Sequence, residues 1–180
     1  MTPDTRHLAL PFFDDVHRAL GADLVDWAAM QRVDETDDRA ACREWVKLLG
    51  KSGWLRYCVP AEFGGALHRL DSRALVILRE TLAFYSPLAD FAFAMQGLGS
   101  GAVTLAGTAE QRTAYLPHVA SGQKIAAFAL SEADAGSDAG AMTTSAAQVN
   151  DGWVINGRKT WISNGGIADF YVTFVKTDVD

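Results

Sequence analysis

The hydrophobic period of the chain changes once, at Lys124, and this change limits the fold more than any other feature. Before it, apolar residues recur every three or four positions, the spacing of a helix that buries one face. After it, short apolar runs alternate with Asn/Gly/Asp clusters at the spacing of strands and tight turns. The sequence therefore predicts an α+β chain with its two kinds of structure in succession: an all-α N-terminal helical domain over residues 1–122, then the start of an antiparallel β domain over 123–180.

Five helices are expected in the first part. Phe13, Val16, Leu20, Leu24 and Trp27 form one stripe between Phe12 and Gln31, with Asp14, Asp15, Arg18, Asp23 and Asp26 opposite. The acidic run "DETDD" breaks this helix and offers an N-cap to a second, Arg39 to Leu49, which should stop at Gly50. "GWLRYCVPAEFGG" follows, a turn-rich segment fixed by Pro60 and Gly64-Gly65. Asp71 then caps a third helix that runs through Tyr85 and is ended by Pro87. The fourth, "LADFAFAMQGLGSGAVTLAG", has one charge, Asp90, and is apolar all round, so it should be central and buried. Its Gly97, Gly99 and Gly101 are not a dinucleotide loop, since no strand precedes them. They should instead let a helix or ligand approach closely. Thr108-x-x-Gln111 is a capping box for the fifth helix, with Pro117 kinking it or marking its last turn.

In the second part "KIAAFALSE", "TSAAQV", "WVING", "KTWIS" and "DFYVTFVKT" read as strands joined by hairpin turns at Asn150-Asp151-Gly152, Asn156-Gly157 and Asn164-Gly165-Gly166. At four or five strands, ending at Asp180, such a β domain looks unfinished.

Composition narrows the partners. With 16 basic against 22 acidic residues and no Lys/Arg cluster, nucleic acid and anionic membranes are poor partners, and no run spans a bilayer. Cys42 and Cys58 lack metal-ligand spacing and read as buried free thiols, so no metal is expected and a cytoplasmic location fits. His68 and His118 read as surface or capping residues. The chemistry gathers instead around the strand end "AAFALSEADAGSD". Its loop supplies the hydroxyls of Ser131 and Ser137 and open backbone near Gly136, with little bulk, as an extended polar ligand would require. An ordinary connecting loop is the simpler account of the same composition. Likewise Trp161 and Ser163, two apart on a strand, would share a side, although a strand Trp is usually core.

Taken in order and spacing, "GWLRYCVPAEFGG", "GTAEQRTAYLPHVASGQKIAAFALSEADAGSD" and "GWVINGRKTWISNGGIADFYVTFVKTD" closely resemble the acyl-CoA dehydrogenase flavoprotein family, from about Phe12 to Asp180. The resemblance covers that family's N-terminal helical domain and the first part of its middle β domain. Its C-terminal helical domain has no counterpart in this sequence. The resemblance implies FAD as cofactor, with Phe128, Leu130 and Ser131 along the flavin ring and Ser131 bonding its pyrimidine edge. It also implies Gly136 and Ser137 at the pyrophosphate, Ser137 meeting the CoA portion as well, and Trp161, Ile162 and Ser163 covering the ring system. Met95, Gln96 and Leu98 match the region beside the acyl tail. Many relatives carry Thr where this chain has Ser131 and Ser163, and Pro in place of Ala133.

The implied activity is α,β-dehydrogenation of an acyl-CoA thioester to a trans-2-enoyl-CoA, with an electron-transfer flavoprotein or another acceptor taking the electrons. The implied full-length assembly is a homo-oligomer. The family's catalytic base is a glutamate on the C-terminal domain, so no catalytic residue is expected among these 180 and the isolated chain should be inactive, an N-terminal fragment. Glu132 reads as a structural or solvent-facing carboxylate rather than a substitute base. Two other readings fit the motifs: a flavin-dependent monooxygenase or nitroalkane oxidase on the same scaffold, and a non-catalytic partner subunit that associates through its unpaired sheet edge.

Overall fold

The computed structural model describes residues 2–177; residues 178–180 of the expected second domain lie outside them. Five helices occur where the apolar period places them: α1 (Asp15–Met30), α2 (Asp38–Lys51), α3 (Ser72–Tyr85), α4 (Pro87–Ala106) and α5 (Ala109–Ala120). Four short strands follow: β1 (Ala126–Ala129), β2 (Ser145–Val149), β3 (Gly152–Asn156) and β4 (Phe170–Thr173).

The caps show why the helices begin where they do. Asp37 accepts from the amides of Arg39 and Ala40, and Asp71 from that of Arg73, so orphan N–H groups of α2 and α3 are satisfied by side chains. Thr108 and Gln111 form the reciprocal capping box of α5, in whose last turn Pro117 sits. Pro87 does not merely end α3. It is the first residue of α4, whose N-cap is Ser86, the Oγ accepting from the Ala89 amide at 3.0 Å. Two details of the sequence reading change. Val16 points to solvent while His17 is buried, and α2 runs through Gly50 to Lys51. A Cβ at Gly50 would stand 2.3 Å from the Ser121 carbonyl oxygen, so this glycine admits the end of α5 rather than stopping α2.

His17 ties two helix starts together. The Asp14 amide donates to its Nδ1 at 3.1 Å, and its Nε2 faces Asp71 at 3.2 Å. Arg73 grips the same carboxylate, and its hydrogen bonds hold the Asp71 carboxyl well below the usual carboxylate range. A group whose folded pKa is depressed stabilises the fold above its unfolded pKa, here near the ordinary 3.8, and loses that contribution as pH falls further. Asp71→Asn keeps a capping oxygen but not the charge. It should lower the thermal midpoint at pH 7 and make its decline below about pH 4 shallower than in the wild type; an equal acid slope in both would count against this network.

Helix α4 is central, packed against α2, α3, α5 and β1. Its burial is incomplete, however: Leu98 and Leu105 are 52% and 83% exposed, one above the other two turns apart. The other side of α4 meets β1 at Gly99, where a Cβ would lie 2.6 Å from the Ala126 Cβ and 2.9 Å from its carbonyl carbon. The close approach expected of the glycines is thus made by a strand, at one position; Gly101 faces open space. Both cysteines are free and buried, and desolvation pushes the Cys58 thiol up to about 12.

The β part departs most from expectation. Among the described residues only β2 and β3 form an antiparallel hairpin, around Asn150-Asp151 with Asn150 at φ 52. β1 pairs with β4 in parallel, Ala126 opposite Phe170 through Ala129 opposite Thr173. Parallel neighbours need a long crossover, and the whole stretch between residues 130 and 169 serves as one. "KTWIS" is not a strand. Nor do Asn156-Gly157 and Asn164-Gly165-Gly166 make hairpins: the latter is a compact turn in which the Ile167 and Ala168 amides donate to the Asn164 carbonyl. Beyond β4, Lys176 bridges Ser145 in parallel and so joins the two strand pairs.

Candidate functional site

The site is built on the end of β1. That strand is held from below by Gln96 of α4, which is fully buried: the Ala126 amide donates to its Oε1 at 2.8 Å and its Nε2 donates to the Lys124 carbonyl at 2.9 Å. Both ends of the amide are engaged by backbone, so Gln96 supports the strand instead of facing the space where a substrate could lie. Asn164 secures the other side, its Nδ2 donating to the Ala126 carbonyl at 3.1 Å, and the Ile125 amide donates to Asp169 at 2.7 Å. Strand β1 is therefore anchored by side chains 30 and 38 residues away in sequence.

Past Ala129 the backbone leaves the sheet. Leu130 and Ser131 are half-buried, Glu132 is buried, and a tight turn brings the Glu132 amide to the Ala135 carbonyl at 2.9 Å. Gly136 and Ser137 follow on the exposed rim. The Thr160 amide donates to the Ser131 carbonyl at 2.9 Å, which brings the segment bearing Trp161 against the strand end. Trp161 has φ 53 and is 81% exposed. A bulky residue in the left-handed region is strained, and a bare indole gains nothing from burial. The expected core or same-strand placement of Trp161 with Ser163 is thus corrected, because the turn at Trp161 breaks the period-two alternation. Ile162 and Ser163 instead line a cleft of about 270 Å³ with Phe91 of α4 and Asp38, Arg39 and Cys42 at the start of α2.

The remaining predicted residues are dispersed. Phe128 is half-buried, with its ring 5.0 Å from that of Phe174. Met95 is half-buried and Leu98 exposed, on the α4 stripe that ends at Leu105. The Thr160 contact brings Ser131 and the Trp161 segment together, and Ser137 follows two residues beyond the Glu132–Ala135 turn; Met95 and Leu98 are on α4, Leu98 on the side away from the β1 contact. His68 is exposed, and His118 meets Gln123 at 2.7 Å beside the end of α5.

Glu132 is neither solvent-facing nor available as a base. The Thr144 hydroxyl donates to its carboxylate, as do the Thr143 hydroxyl and both threonine amides, and Lys159 adds its ammonium at 2.9 Å. These donors, the Thr144 hydroxyl foremost, hold the carboxyl well below the usual range. Lys159 was not singled out by the sequence, and neither were Thr143 and Thr144. A signal existed: Glu132 in a small-residue loop and one lysine in "GRKTW" are opposite charges flanking the same candidate shelf.

What a ligand here would meet is the exposed indole of Trp161, the half-buried Ser131 beside it and the exposed Gly136-Ser137 rim with little bulk, while Ser163 belongs to the cleft at the start of α2. This donor set fits a planar heterocycle with a polar edge and an extended anionic tail, and the exposed, strained Trp161 is the observation that most asks for such a partner. The comparisons with known proteins agree with the order of these elements. The chain matches the model of the acyl-CoA dehydrogenase N-terminal domain over residues 14–123 and that of the acyl-CoA dehydrogenase middle domain over residues 127–180. It is 36% identical over 173 residues to a 3-(aryl)acrylate reductase of Clostridium sporogenes, covering 93% of this chain and 45% of that protein. The structure of an acyl-CoA dehydrogenase complexed with FAD from Bacillus anthracis superposes with a TM-score of 0.79 at 30% identity, over 98% of this chain and 30% of that one. A chain of the electron transferring flavoprotein structure of Acidaminococcus fermentans gives 0.80 at 29% identity, over 92% and 44%. The chain thus spans less than half the length of each of these relatives. No helix of the described residues is long and apolar enough to cross a membrane. Since the two domain models follow one another along nearly all of the sequence, in the order in which helices give way to the β1 shelf, the chain belongs to the acyl-CoA dehydrogenase family.

Proposed function

We propose that these residues form the helical and flavin-facing part of an FAD-dependent acyl-CoA dehydrogenase, with the division between the two parts at residues 122/123. The observation that carries the reading is Trp161, left 81% exposed on a φ 53 backbone, next in sequence to Thr160, whose amide donates to the Ser131 carbonyl. Bound FAD supplies the acceptor for the hydride leaving the substrate β-carbon. The chain's own residues hold and shape the site. Ser131 offers N–H and hydroxyl to the pyrimidine edge, where negative charge grows during the reaction, and fixed donors there stabilise that charge without reorganising. Leu130 and Phe128 would give the apolar floor and Trp161 would cover the ring and exclude water, while the roles for Ile162 and Ser163 beside the ring rest on the family resemblance, since both line the cleft at the start of α2. Gly136 and Ser137 take the pyrophosphate and the CoA portion.

Of the positions that the resemblance sets beside the acyl tail, Met95, Gln96 and Leu98, only Met95 is free to take that role, since Gln96 is engaged by β1 and Leu98 lies on the side of α4 away from it. Glu132 stays an anion and takes no proton from the substrate, so the base comes from outside these residues. An electron-transfer flavoprotein or another acceptor would take the electrons, and a homo-oligomer would be the full-length assembly. The relative named as a 3-(aryl)acrylate reductase supports a second reading, in which the same carbon–carbon bond is saturated rather than desaturated.

Trp161→Gly separates ligand binding from folding. Glycine relieves the left-handed backbone, worth about 1 kcal/mol, so the flavin-free thermal midpoint should not fall. FAD affinity, followed by quenching of flavin fluorescence, should drop at least about tenfold with the stacking partner gone. Unchanged FAD affinity in this variant would remove the flavin reading. Identification of an enoyl thioester or of a saturated acid as product then separates the two directions.

A further inference from the structure

Behind the shelf lies a polar cluster that the proposed chemistry does not use. Lys159 has a side chain only 9% exposed, and its ammonium donates to the Leu130 carbonyl and to Glu132 Oε1, both at 2.9 Å. Its third direction reaches Met142 Sδ at 3.9 Å. The next residue donates its amide to the Ser131 carbonyl. Three consecutive residues, 130, 131 and 132, are therefore each gripped from the inner side by residues 159 and 160, through two carbonyls and a carboxylate.

We propose that Lys159 is a positioning residue for the cofactor shelf: it locks the Leu130–Ser131 peptide from behind so that the Ser131 N–H and hydroxyl face the ligand, and it cancels the Glu132 charge beside an anionic cofactor. The proposal rests on the flavin reading above. Carbonyls of residues 130 and 131 drawn inward leave the amide between them directed outward, because peptide planes are rigid. A carboxylate left alone behind this shelf would repel both a pyrophosphate and a ring that gains electrons, and that repulsion is strong where water is excluded. A lysine suits the task since its ammonium is a compact charge whose three tetrahedrally spread donors reach separate partners, whereas the planar fork of arginine is built for one bidentate partner. A purely structural account has the pair merely pin the 132–144 loop to the β part.

The test uses the whole chain with Lys159→Met and, because that variant leaves a buried carboxylate unpaired and can fail to fold, the double variant Lys159→Met/Glu132→Gln, in which no charge is stranded. Amide hydrogen exchange is followed on the flavin-free proteins, and FAD is then titrated by fluorescence. In a folded double variant, helix amides in α1 to α5 should keep their protection, the Thr160 and Glu132 amides should exchange at least about tenfold faster, and the FAD dissociation constant should rise at least about tenfold. Wild-type FAD affinity in that folded variant overturns the proposal even if its thermal midpoint is lower, since a structural pin alone would give that result. If the wild-type chain takes up no FAD, the flavin reading itself falls. The exchange data still decide the clamp: unchanged protection at Thr160 overturns it and faster exchange upholds it.

Discussion

Gly99→Val is expected to push strand β1 off helix α4 and lower the thermal midpoint by about 6–12 °C. The atoms a side chain would strike are not flexible tips. The Ala126 Cβ lies 2.6 Å, its carbonyl carbon 2.9 Å and the Ala127 nitrogen 3.0 Å from the position of an added Cβ. Overpacking of this kind costs about 1–3 kcal/mol, the upper end applying where backbone must move and a β-branched group is added. Alanine at the same place regains about 1 kcal/mol of helix propensity and should fall short of the valine effect by at least that much. For a chain of this size each kcal/mol shifts the midpoint by about 2–4 °C, which sets the expected range. Because β1 runs straight into Leu130 and Ser131, FAD affinity should fall together with stability. Thermal scans and flavin titration check both. A midpoint within a degree of wild type would mean that α4 and β1 are not in the contact described.

Gln96→Leu is the second large effect, from the same junction but with a different cause. The leucine fits the space but offers nothing to the Ala126 amide, which is fully buried, or to the Lys124 carbonyl. Leaving buried polar groups without partners costs about 1–3 kcal/mol each. The Lys124 carbonyl belongs to a half-exposed residue and can find water, so the loss should be about 1–3 kcal/mol, or about 2–12 °C. Gln96→Glu keeps one acceptor and should retain part of the stability at low pH, where the carboxyl is protonated and can again donate. Since residues 96 and 99 both press on 124–127, the double variant Gln96→Leu/Gly99→Val should lose less than the sum of the singles. Strict additivity would show that the two contacts act on separate elements.

These variants and Trp161→Gly form a contrast that tests the site as a whole. Disturbing the α4–β1 junction lowers stability and flavin affinity together, while removing the indole lowers affinity alone. The difference follows from position: Gln96 and Gly99 are buried beneath the strand, and Trp161 stands on its open side.

Much of this was legible in the sequence. The helix starts were, because caps are local: Asp37, Asp71 and Thr108 satisfy amides two or three residues away. So was the strand end at Ser131, where apolar residues give way to small polar ones. The fate of "KTWIS" was not, because a left-handed residue at Trp161 has no signature in residue type. Gln96 was assigned to the acyl tail from its place in a motif, yet it is engaged by two backbone groups some thirty residues on.

By itself the sequence determined the order of the helices and their boundaries to within a few residues, the β2–β3 hairpin, and the small polar shelf after β1, all of them products of local periodicity and capping. Only the tertiary structure decided that β1 lies parallel to β4, that Gln96 and Gly99 weld the strand to α4, and that Lys159 and Glu132 meet behind Ser131. Those choices depend on which distant backbone groups must find partners once the chain is compact, and no window of sequence contains both members of such a pair.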